Sequence, residues 1–558
     1  MIWLKRSSHF FTNNIDLLLI IVISLTLRLW GFRIGEVFIS SDEAMVALAG
    51  LDVTYIFTHL SLYNVGIHIL RLLSFGWGYS HILFIFLITH ILSFCGFHIN
   101  EFIIMFPFVI IGTLSCVLIY ALTYEIYTNR WIAFIAGILM AIIPLSVSIS
   151  RSINSSNITS FLLLLTIFLF VKYVKTNKYM YAAPIVLGLY LGNDNQFLGI
   201  APILLSILFL YTNNSITNML SYVKFFFKKF NFQFISLSSL FFIPSVVSFI
   251  YFLTKGKVEG GIIGHTLEKN KTVGFHPEVG LYFIYAVGIM LAVIFLISII
   301  YGLWITFQRK KESFLFVWFL SYSLPWFFLV TPQNDTRVYF IHFIIPLIIL
   351  SSNMIYDFIQ KNKKIISCFV SIIILVTTIN TTTYVVHNIQ FFDPLIKDKD
   401  LINGMLRFYG STPQKNIGVK TAGYWIRTNT NEKDIIFSEI GFHVSKYYFH
   451  RPILANQNVS FSLSYPNVET KYVFFNQSIE DVEYVVTLAE NDDIAQEYLN
   501  EFSKVVEVQE AGESRLFIYK KVSMSPFIIL DTTVYDKLFD QKYGTIESLR
   551  TPCYFCYE

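Results

Sequence analysis

The chain has 558 residues, of which 55% are hydrophobic and only 14% are charged. A single soluble core stops growing at roughly 250–300 residues, so a water-soluble domain is excluded as the host for this much apolar surface. The net charge of +4 and the five cysteines argue against a nucleic-acid partner and against a disulfide scaffold. The composition therefore predicts a polytopic α-helical membrane protein.

Eleven apolar stretches are candidate membrane-spanning helices, which need about 20 residues to cross the hydrocarbon core. In chain order they are 15–32, 102–124, 131–150, 157–174, 180–192, 197–212, 234–254, 279–304, 314–331, 338–357 and 364–386. The fifth and sixth are short, and they form either two spans or one broken unit. No small-residue cleavage site follows the first stretch, so we interpret it as a retained span rather than as a signal peptide.

The apolar stretch 81–97 competes with these spans, and the positions of Lys and Arg decide its assignment. Short cytoplasmic loops of membrane proteins are enriched in these two residues. If 81–97 lies along the outer surface, the basic clusters between spans fall inside, except those in the longer loop 255–278. We therefore predict an interfacial helix at 81–97, a cytoplasmic N-terminus and an extracytoplasmic C-terminus.

The composition changes at about residue 387, where the predicted spans stop. Apolar patterns beyond that point predict strands at 434–438, 482–488 and 515–520 and helices at 416–428 and 492–503. We predict three parts: a transmembrane domain over 1–386 with an external loop at 33–101, an extracytoplasmic α/β domain over 387–523, and a tail over 524–558 that shows no clear pattern. The absence of an internal repeat argues against many secondary transporters.

Two adjacent carboxylates, Asp42 and Glu43, follow the first span by about ten residues. Charge is costly in lipid, so both side chains should face water or a polar cavity at the interface. Ser40-x-x-Glu43 also matches a capping box, which explains Glu43 without any catalytic role. Adjacent helical residues point about 100° apart, so Glu43 can cap a helix while Asp42 projects toward a substrate.

Four short motifs carry a resemblance to a known family: Arg28-Leu29-Trp30-Gly31, Ser41-Asp42-Glu43-Ala44, Arg337-Val338-Tyr339 and Gly423-Tyr424-Trp425-Ile426-Arg427. In this order, over about 30–460, they resemble the GT-C superfamily of glycosyltransferases. The similar branch is that of protein O-mannosyltransferases and aminoarabinose transferases. The resemblance implies a GT-C-like fold of about 11 transmembrane helices plus interfacial helices, with a C-terminal extracytoplasmic α/β domain.

The resemblance also implies a chemistry, in which a sugar moves from a polyprenyl phosphate to a hydroxyl of a glycolipid, an envelope polymer or a protein. A single displacement inverts the anomeric centre and needs one general base, for which Asp42, with Glu43 beside it, is the candidate. The leaving phosphate needs preorganised cations and donors. The candidates are Arg337, Arg151, Lys269 and Tyr339, although an external Arg can also merely snorkel to the interface or mark topology.

Three further residues are candidates for lining the cavity: Asp194, His265 and Glu268. The His265-x-x-Glu268 spacing supplies only two ligands, too few for a metal site, so neither a metal nor another cofactor is predicted. The external loop 151–157 has no carboxylate and the chain has no Trp-Trp-Asp motif, which disfavours a metal-dependent oligosaccharyltransferase.

The predicted partners are a polyprenyl-phosphate-linked sugar, membrane lipid and a hydroxyl acceptor, with no nucleic acid. Two other functions stay open at this point. One is a lipid or solute transporter, although the predicted spans carry few charges at mid-depth. The other is a non-catalytic GT-C-like scaffold, since the chain lacks a Lys that is common in the family between the fifth and sixth spans.

Overall fold

The computed structural model of the protein describes residues 15–30, 44, 47–48, 50–51, 80–151, 153, 155–194, 196–211, 224, 227–254, 278–308, 310–328, 340–361, 363–387, 418–440, 442–454, 482–492, 499, 501–521 and 526–545. The chain forms two compact units. The first unit comprises Met1–Gly31, Ile69–Ser80 and Phe108–Ser411, and the second comprises Phe32–His68, His81–Pro107 and Thr412–Glu558.

The described helices are, in chain order, α1 (Ile15–Leu29), α2 (Ser80–Phe94), α3 (Glu101–Tyr127), α4 (Arg130–Ile142), α5 (Pro144–Ile149), α6 (Ser155–Thr176), α7 (Ala182–Leu191), α8 (Ile200–Tyr211), α9 (Phe232–Thr254), α10 (Glu278–Val287), α11 (Ile289–Phe307), α12 (Ser313–Phe328), α13 (Ile341–Lys361), α14 (Lys363–His387), α15 (Val419–Asn429), α16 (Phe442–Phe449) and α17 (Thr532–Tyr543). A 3₁₀ turn at Phe197–Gly199 leads into α8, and another lies at Ala489–Asn491.

The helices of the first unit coincide with the predicted spans to within a few residues, but two of the spans are broken. The predicted span 131–150 divides into α4 and α5 at Pro144, whose ring removes a backbone donor from the helix. The predicted span 279–304 divides at Gly288, which has φ +81°, a conformation that glycine adopts without a steric penalty.

Apolar helices identify the protein as an integral membrane protein. Among the described residues, four helices are long and apolar enough to cross a bilayer by length and composition: Glu101–Tyr127, Ser156–Thr176, Ile289–Phe307 and Ile341–Lys361. Helix α11 exposes Val293, Leu296, Ile297 and Ile300. A surface of this kind would be unfavourable in water, and it fits lipid as the solvent.

Helix α13 is the centre of the first unit. It packs against α4, α6, α11, α12 and α14, and its residues from Ile341 to Ser352 are all buried. Next to it, α12 buries Trp318 and Trp326. This dense packing holds the start of α13 in place and so restrains the segments next to it.

The second unit contains α2 and α15–α17 with a six-stranded mixed sheet of order β2-β1-β3-β5-β4-β6. The strands are β1 (Ile436–Ser438), β2 (Ile453–Leu454), β3 (Tyr484–Leu488), β4 (Phe502–Glu510), β5 (Glu513–Lys521) and β6 (Ile528–Asp531). Strands β4 and β5 form a hairpin whose two turn residues, Ala511 and Gly512, both have positive φ, as a type I′ turn requires. One core cluster of the unit gathers around Phe437, Val485 and Phe517.

Strands β1, β3 and β5 and helix α15 confirm the corresponding sequence predictions. The predicted helix at 492–503 is wrong at its end, because Phe502 begins β4 and pairs with Lys521. The stretch after 524, for which the sequence showed no pattern, contains β6 and α17.

The apolar stretch 81–97 forms α2 (Ser80–Phe94), a helix with two different faces. Leu83, Leu87 and Ile91 are exposed at a helical spacing, whereas Ile82 and Ile85 are buried. A one-sided apolar stripe fits a helix that lies in a membrane surface. Its interfacial position stays a prediction.

Candidate functional site

A fully buried arginine joins three helices at one end of the first unit. Arg28, in the last turn of α1, donates from Nη1 to Ser24 Oγ at 2.7 Å and from Nη2 to Ser146 Oγ, in α5, at 2.8 Å. Nη1 also lies 3.4 Å from the carbonyl oxygen of Ala141, near the end of α4. The guanidinium therefore ties the first helix to the break between α4 and α5.

Small residues make room for this guanidinium. A Cβ atom on Gly112 of α3 would come within 2.9 Å of Arg28 Nε and would also collide with Ser150. Nε itself is buried and has no hydrogen-bond partner among the residues that the structure describes. Among the described residues, no carboxylate lies within ion-pair distance of Arg28, and its hydrogen-bond acceptors there are hydroxyl and carbonyl oxygens.

Arg151 binds the first helix at the same place. It lies in the turn that follows α5, is half-buried, and donates from Nη1 to the carbonyl oxygen of Trp30 at 2.6 Å. The last carbonyls of a helix have no partner within the helix, so a cation that reaches them is favourable. The predicted donor-binding Arg151 thus lies at the C-terminal end of α1.

Asp194 and His342 form a buried pair of titratable side chains, and both are fully inaccessible to solvent. Asp194 Oδ2 lies 3.3 Å from His342 Nε2, within ion-pair distance. In the part of the chain that the structure describes, this oxygen makes no well-aligned hydrogen bond, so we describe its contact with His342 as an electrostatic pair. The other ring nitrogen, Nδ1, lies 3.3 Å from Gln196 Oε1.

Three helix ends meet at this pair. Asp194 follows α7, His342 lies in the first turn of α13, and Thr159, in the first turns of α6, places its Oγ1 3.5 Å from His342 Nε2. Because α6 begins a few residues after Arg151, the Asp194–His342 pair and Arg151 lie at the same end of the first unit.

The opposite end of the first unit has a different composition. Glu125, near the end of α3, pairs with Lys172 and Lys175, near the end of α6. Tyr301 donates to Asp357 at 3.2 Å, near the end of α13. Several lysines thus collect at one end of the unit, whereas Arg28, Arg151 and Asp194 lie at the other.

Of the residues predicted for the site, Arg151 and Asp194 are described, and they lie at the same end of the first unit. The other predicted residues lie outside the described part of the chain: Asp42, Glu43, Arg337, Lys269, Tyr339, His265 and Glu268. Sequence reasoning missed Arg28 and His342 as residues of this region. A signal was present, since an ionisable residue inside a predicted span points by default to a functional site.

No group of three His, Cys, Asp or Glu side chains that could hold a metal ion occurs in the described ranges. The prediction that no metal is needed stays a prediction.

The second unit buries a cluster of charges around Lys420. Its Nζ donates to Glu101 Oε2 at 2.7 Å and to Asp540 Oδ1 at 2.9 Å, and Tyr448 Oη donates to Glu101 Oε1 at 2.6 Å. Asp536, one turn before Asp540, accepts from the hydroxyl of Thr421 at 2.7 Å.

Burial and charge act in opposite directions on this cluster. Desolvation lowers the pKa of Lys420, but the two adjacent carboxylates overcome it, and the net shift is upward. Desolvation raises the pKa of Asp536 to about 6. For Asp540, desolvation and the nearby Glu101 raise the pKa to about 6, against the pull of Lys420. Three acids therefore lie around Lys420, and two of them, Asp536 and Asp540, have pKa values raised to about 6.

Two arginines of the second unit show what the end of the Gly423–Arg427 motif does. Arg427, at the end of the Gly423–Arg427 stretch, donates to the carbonyl oxygens of Tyr447 and Tyr448 at 2.8 and 2.7 Å. Arg451 donates in turn to the carbonyl oxygen of Arg427 at 3.1 Å. Both side chains therefore satisfy backbone carbonyls near the ends of α15 and α16, which is a structural role.

Comparison with known proteins gives a family match and two fold relatives. The family model of dolichyl-phosphate-mannose-protein mannosyltransferase matches residues 79–228. ArnT from Cupriavidus metallidurans, solved bound to undecaprenyl phosphate, aligns over 93% of this chain and 99% of its own with a TM-score of 0.60 and 10% identity. No curated protein matches the sequence.

The second fold relative is the archaeal oligosaccharyltransferase AglB from Archaeoglobus fulgidus, in complex with an inhibitory peptide and a dolichol-phosphate. It aligns over 88% of this chain and 70% of its own with a TM-score of 0.53 and 16% identity. The family match and the shared fold confirm the resemblance to the GT-C superfamily of glycosyltransferases.

Proposed function

We propose that the protein is an inverting glycosyltransferase that moves a sugar from a polyprenyl phosphate to a hydroxyl acceptor on the outer face of its membrane. The observation that carries the proposal is a GT-C fold in which Arg28, Arg151 and the Asp194–His342 pair all lie at one end of the first unit. The lysines at the other end support the predicted orientation, since cytoplasmic ends are enriched in lysine and arginine.

In the proposed reaction, the acceptor oxygen forms a bond to the anomeric carbon while the bond from that carbon to the phosphate oxygen breaks. The acceptor proton passes to Asp42, and the configuration at the anomeric carbon inverts. A positioned general base of this kind typically contributes about 10²–10⁴ in rate. Glu43, beside Asp42 in the sequence, stays the second candidate for the proton.

The leaving polyprenyl phosphate gains negative charge, which the proposed phosphate site receives. That site comprises Arg151, Arg337, Lys269 and Tyr339. Arginine suits this task because its planar guanidinium can bind two phosphate oxygens at once. His265 and Glu268 are proposed to line the cavity beside it.

Two fold relatives support the donor class, one solved with undecaprenyl phosphate and the other with a dolichol-phosphate. The proposal includes sugars of the hexose and the pentose series, and the acceptor is a glycolipid, an envelope polymer or a protein. The test must therefore detect a product whose acceptor is not known beforehand.

In the experiment, a deletion strain carries the wild-type gene, the Asp42→Asn variant or no gene. Mass spectrometry then compares the glycolipids and glycoproteins of the three strains. We expect a glycoform that requires the wild-type protein and that falls at least 100-fold with Asp42→Asn at equal expression. Asp357→Asn, which removes a carboxylate from the opposite end of the first unit, is the matched control and should retain the glycoform. Full restoration by Asp42→Asn would remove the proposed base. The absence of any difference between wild type and deletion would overturn the glycosyltransferase itself.

A further inference from the structure

We propose that the second unit contacts the lipid surface through the turn after α2 and the end of α17, where Phe94 and Phe97 insert into the bilayer and Lys542 binds an anionic lipid headgroup. The occupant of this surface is lipid rather than another protein. The proposal does not depend on glycosyl transfer, and it extends the predicted interfacial position of α2 to the C-terminal domain.

The end of α2 presents large apolar side chains at its surface. Phe94 is 94% exposed, and Phe97, three residues later, is 55% exposed. They continue the stripe of Leu87 and Ile91 on α2, which are 54% and 52% exposed. A contiguous apolar surface of this kind is unfavourable in water, and an interfacial helix buries it at the boundary between headgroups and acyl chains.

Backbone hydrogen bonds fix the turn that carries Phe97. The N–H of Phe97 donates to the carbonyl oxygen of Leu92 at 3.0 Å, and the N–H of Gly96 donates to that of Ser93 at 2.9 Å. Gly96 has φ +84°. These two bonds around a left-handed glycine form a Schellman motif, which ends many helices. Phe97 is therefore held at a defined position next to the helix.

Helix α3 places this turn near the membrane surface. It begins four residues after Phe97, and its 27 residues, Glu101–Tyr127, are long and apolar enough to cross a bilayer. At about 1.5 Å per residue the helix is about 40 Å long, whereas the hydrocarbon core is about 30 Å thick. When α3 crosses this core, its first turn lies within about 10 Å of the core. Phe97 is therefore within reach of lipid.

The end of α17 is bonded to the same turn. The carbonyl oxygen of Gly544, the residue that follows α17, accepts from the N–H of Ile99 at 2.8 Å. Lys420 Nζ strengthens the connection, since it donates to Glu101 of α3 at 2.7 Å and to Asp540 of α17 at 2.9 Å. The position of α3 in the membrane therefore also determines the position of the end of α17.

Lys542 supplies the charge that an anionic headgroup requires. Its Cα atom lies within about 7 Å of that of Gly544, because two residues separate them at most by this length. The side chain is exposed, and its Nζ lies 5.4 Å from the ring centroid of Tyr424 and 5.3 Å from that of Tyr543. Among the residues that the structure describes, no carboxylate forms an ion pair with it. Lysine and tyrosine side chains are typical anchors at a membrane interface, and headgroup phosphate complements the ammonium charge.

The first test uses the full-length protein in lipid nanodiscs, with the photo-crosslinking residue benzoylphenylalanine in place of Phe97 or Lys542. The matched control carries it in place of Glu513, whose side chain is 73% exposed in the β4–β5 hairpin of the same unit. We expect lipid adducts at positions 97 and 542 in about tenfold higher yield than at the control position. Equal yields at the three positions, or crosslinks to a second copy of the chain instead of lipid, would overturn the proposal.

Hydrogen exchange tests the headgroup contact without a bulky substitution. We expect amides in the last turn of α17 to exchange about fivefold more slowly in phosphatidylglycerol nanodiscs than in phosphatidylcholine nanodiscs, which is the effect of one lysine near an anionic surface. Lys542→Gln should abolish this difference. Lys537→Gln should retain it, because Lys537 is exposed on the same helix but lies about 140° away around its axis. Equal exchange of the wild-type protein in the two lipids, or an undiminished difference in Lys542→Gln, would overturn the headgroup contact.

Discussion

In the described part of each unit one Arg or Lys side chain is completely buried, Arg28 in the first and Lys420 in the second, and the two differ in what surrounds the charge. In the first unit, Arg28 donates to hydroxyl and carbonyl oxygens, and no described carboxylate lies close to it. In the second unit, Lys420 lies between the carboxylates of Glu101 and Asp540. Both arrangements satisfy a buried charge, one with dipoles and the other with opposite charges.

The difference predicts different responses to mutation. Neutral oxygens that lose a cation can bond to each other, as Ser24 already does with Thr113 at 3.3 Å. Carboxylates that lose a cation keep a charge that burial opposes. The cluster around Lys420 should therefore be the more sensitive of the two, and it alone should respond to pH.

The largest effect is expected for Lys420→Met. This change leaves Glu101, which is only 2% exposed, and Asp540 without their common base. Breaking a buried pair in this way costs about 3–5 kcal/mol. Amide hydrogen exchange in α15 of the full-length protein measures the loss as a free energy of opening. Adding Glu101→Gln to Lys420→Met should recover part of this free energy. If Lys420→Met alone has a free energy of opening within about 1 kcal/mol of the wild-type value, the account is contradicted.

A smaller effect is expected for Arg28→Met, which keeps the volume and removes the charge. Hydrogen bonds to charged groups contribute about 1.5–3 kcal/mol, and the freed Ser24 and Ser146 hydroxyls can find new partners, so we expect a loss of about 1–3 kcal/mol. Hydrogen exchange in α1 and α5 measures it. A loss larger than that of Lys420→Met would reverse the comparison between the two cations.

The smallest effect is expected for Asp536→Asn, and it should depend on pH. Desolvation raises the folded-state pKa of Asp536 from 3.8 to about 6. The contribution of Asp536 to the free energy of unfolding is therefore fully present below pH 3.8, and it is lost as the pH rises through 6. The neutral variant should gain about 1–2 kcal/mol over the wild type at pH 7.5 and much less at pH 4.

The control for that change is Asp531→Asn, at the exposed start of the same helix. Bonds from Thr533 lower the pKa of Asp531, so its neutralisation should bring no gain at pH 7.5. Amide hydrogen exchange rates in α17, measured at pH 7.5 and at pH 4, distinguish the two variants. Equal behaviour of both variants would remove the buried site as the cause.

The sequence predicted the helices of the first unit and most strands of the second, because apolar patterns determine both. It did not predict the contacts between distant residues. Lys420 and Glu101 are 319 positions apart, and Asp540 lies in the tail that showed no pattern. Arg28 and His342 were inside predicted spans, but the space for Arg28 depends on Gly112 of another helix, which no local pattern reveals.

The proline that separates α4 from α5 has a consequence for how the first unit is assembled. An unbroken helix would use all of its internal carbonyls, but Pro144 has no N–H to donate, and the break exposes oxygens to other partners. The carbonyl of Ala141 receives Arg28 of the first helix, and that of Ile142 receives Thr381 of α14. The break between α4 and α5 is thus the place where α1 and α14, the first and last described helices of the first unit, are held together.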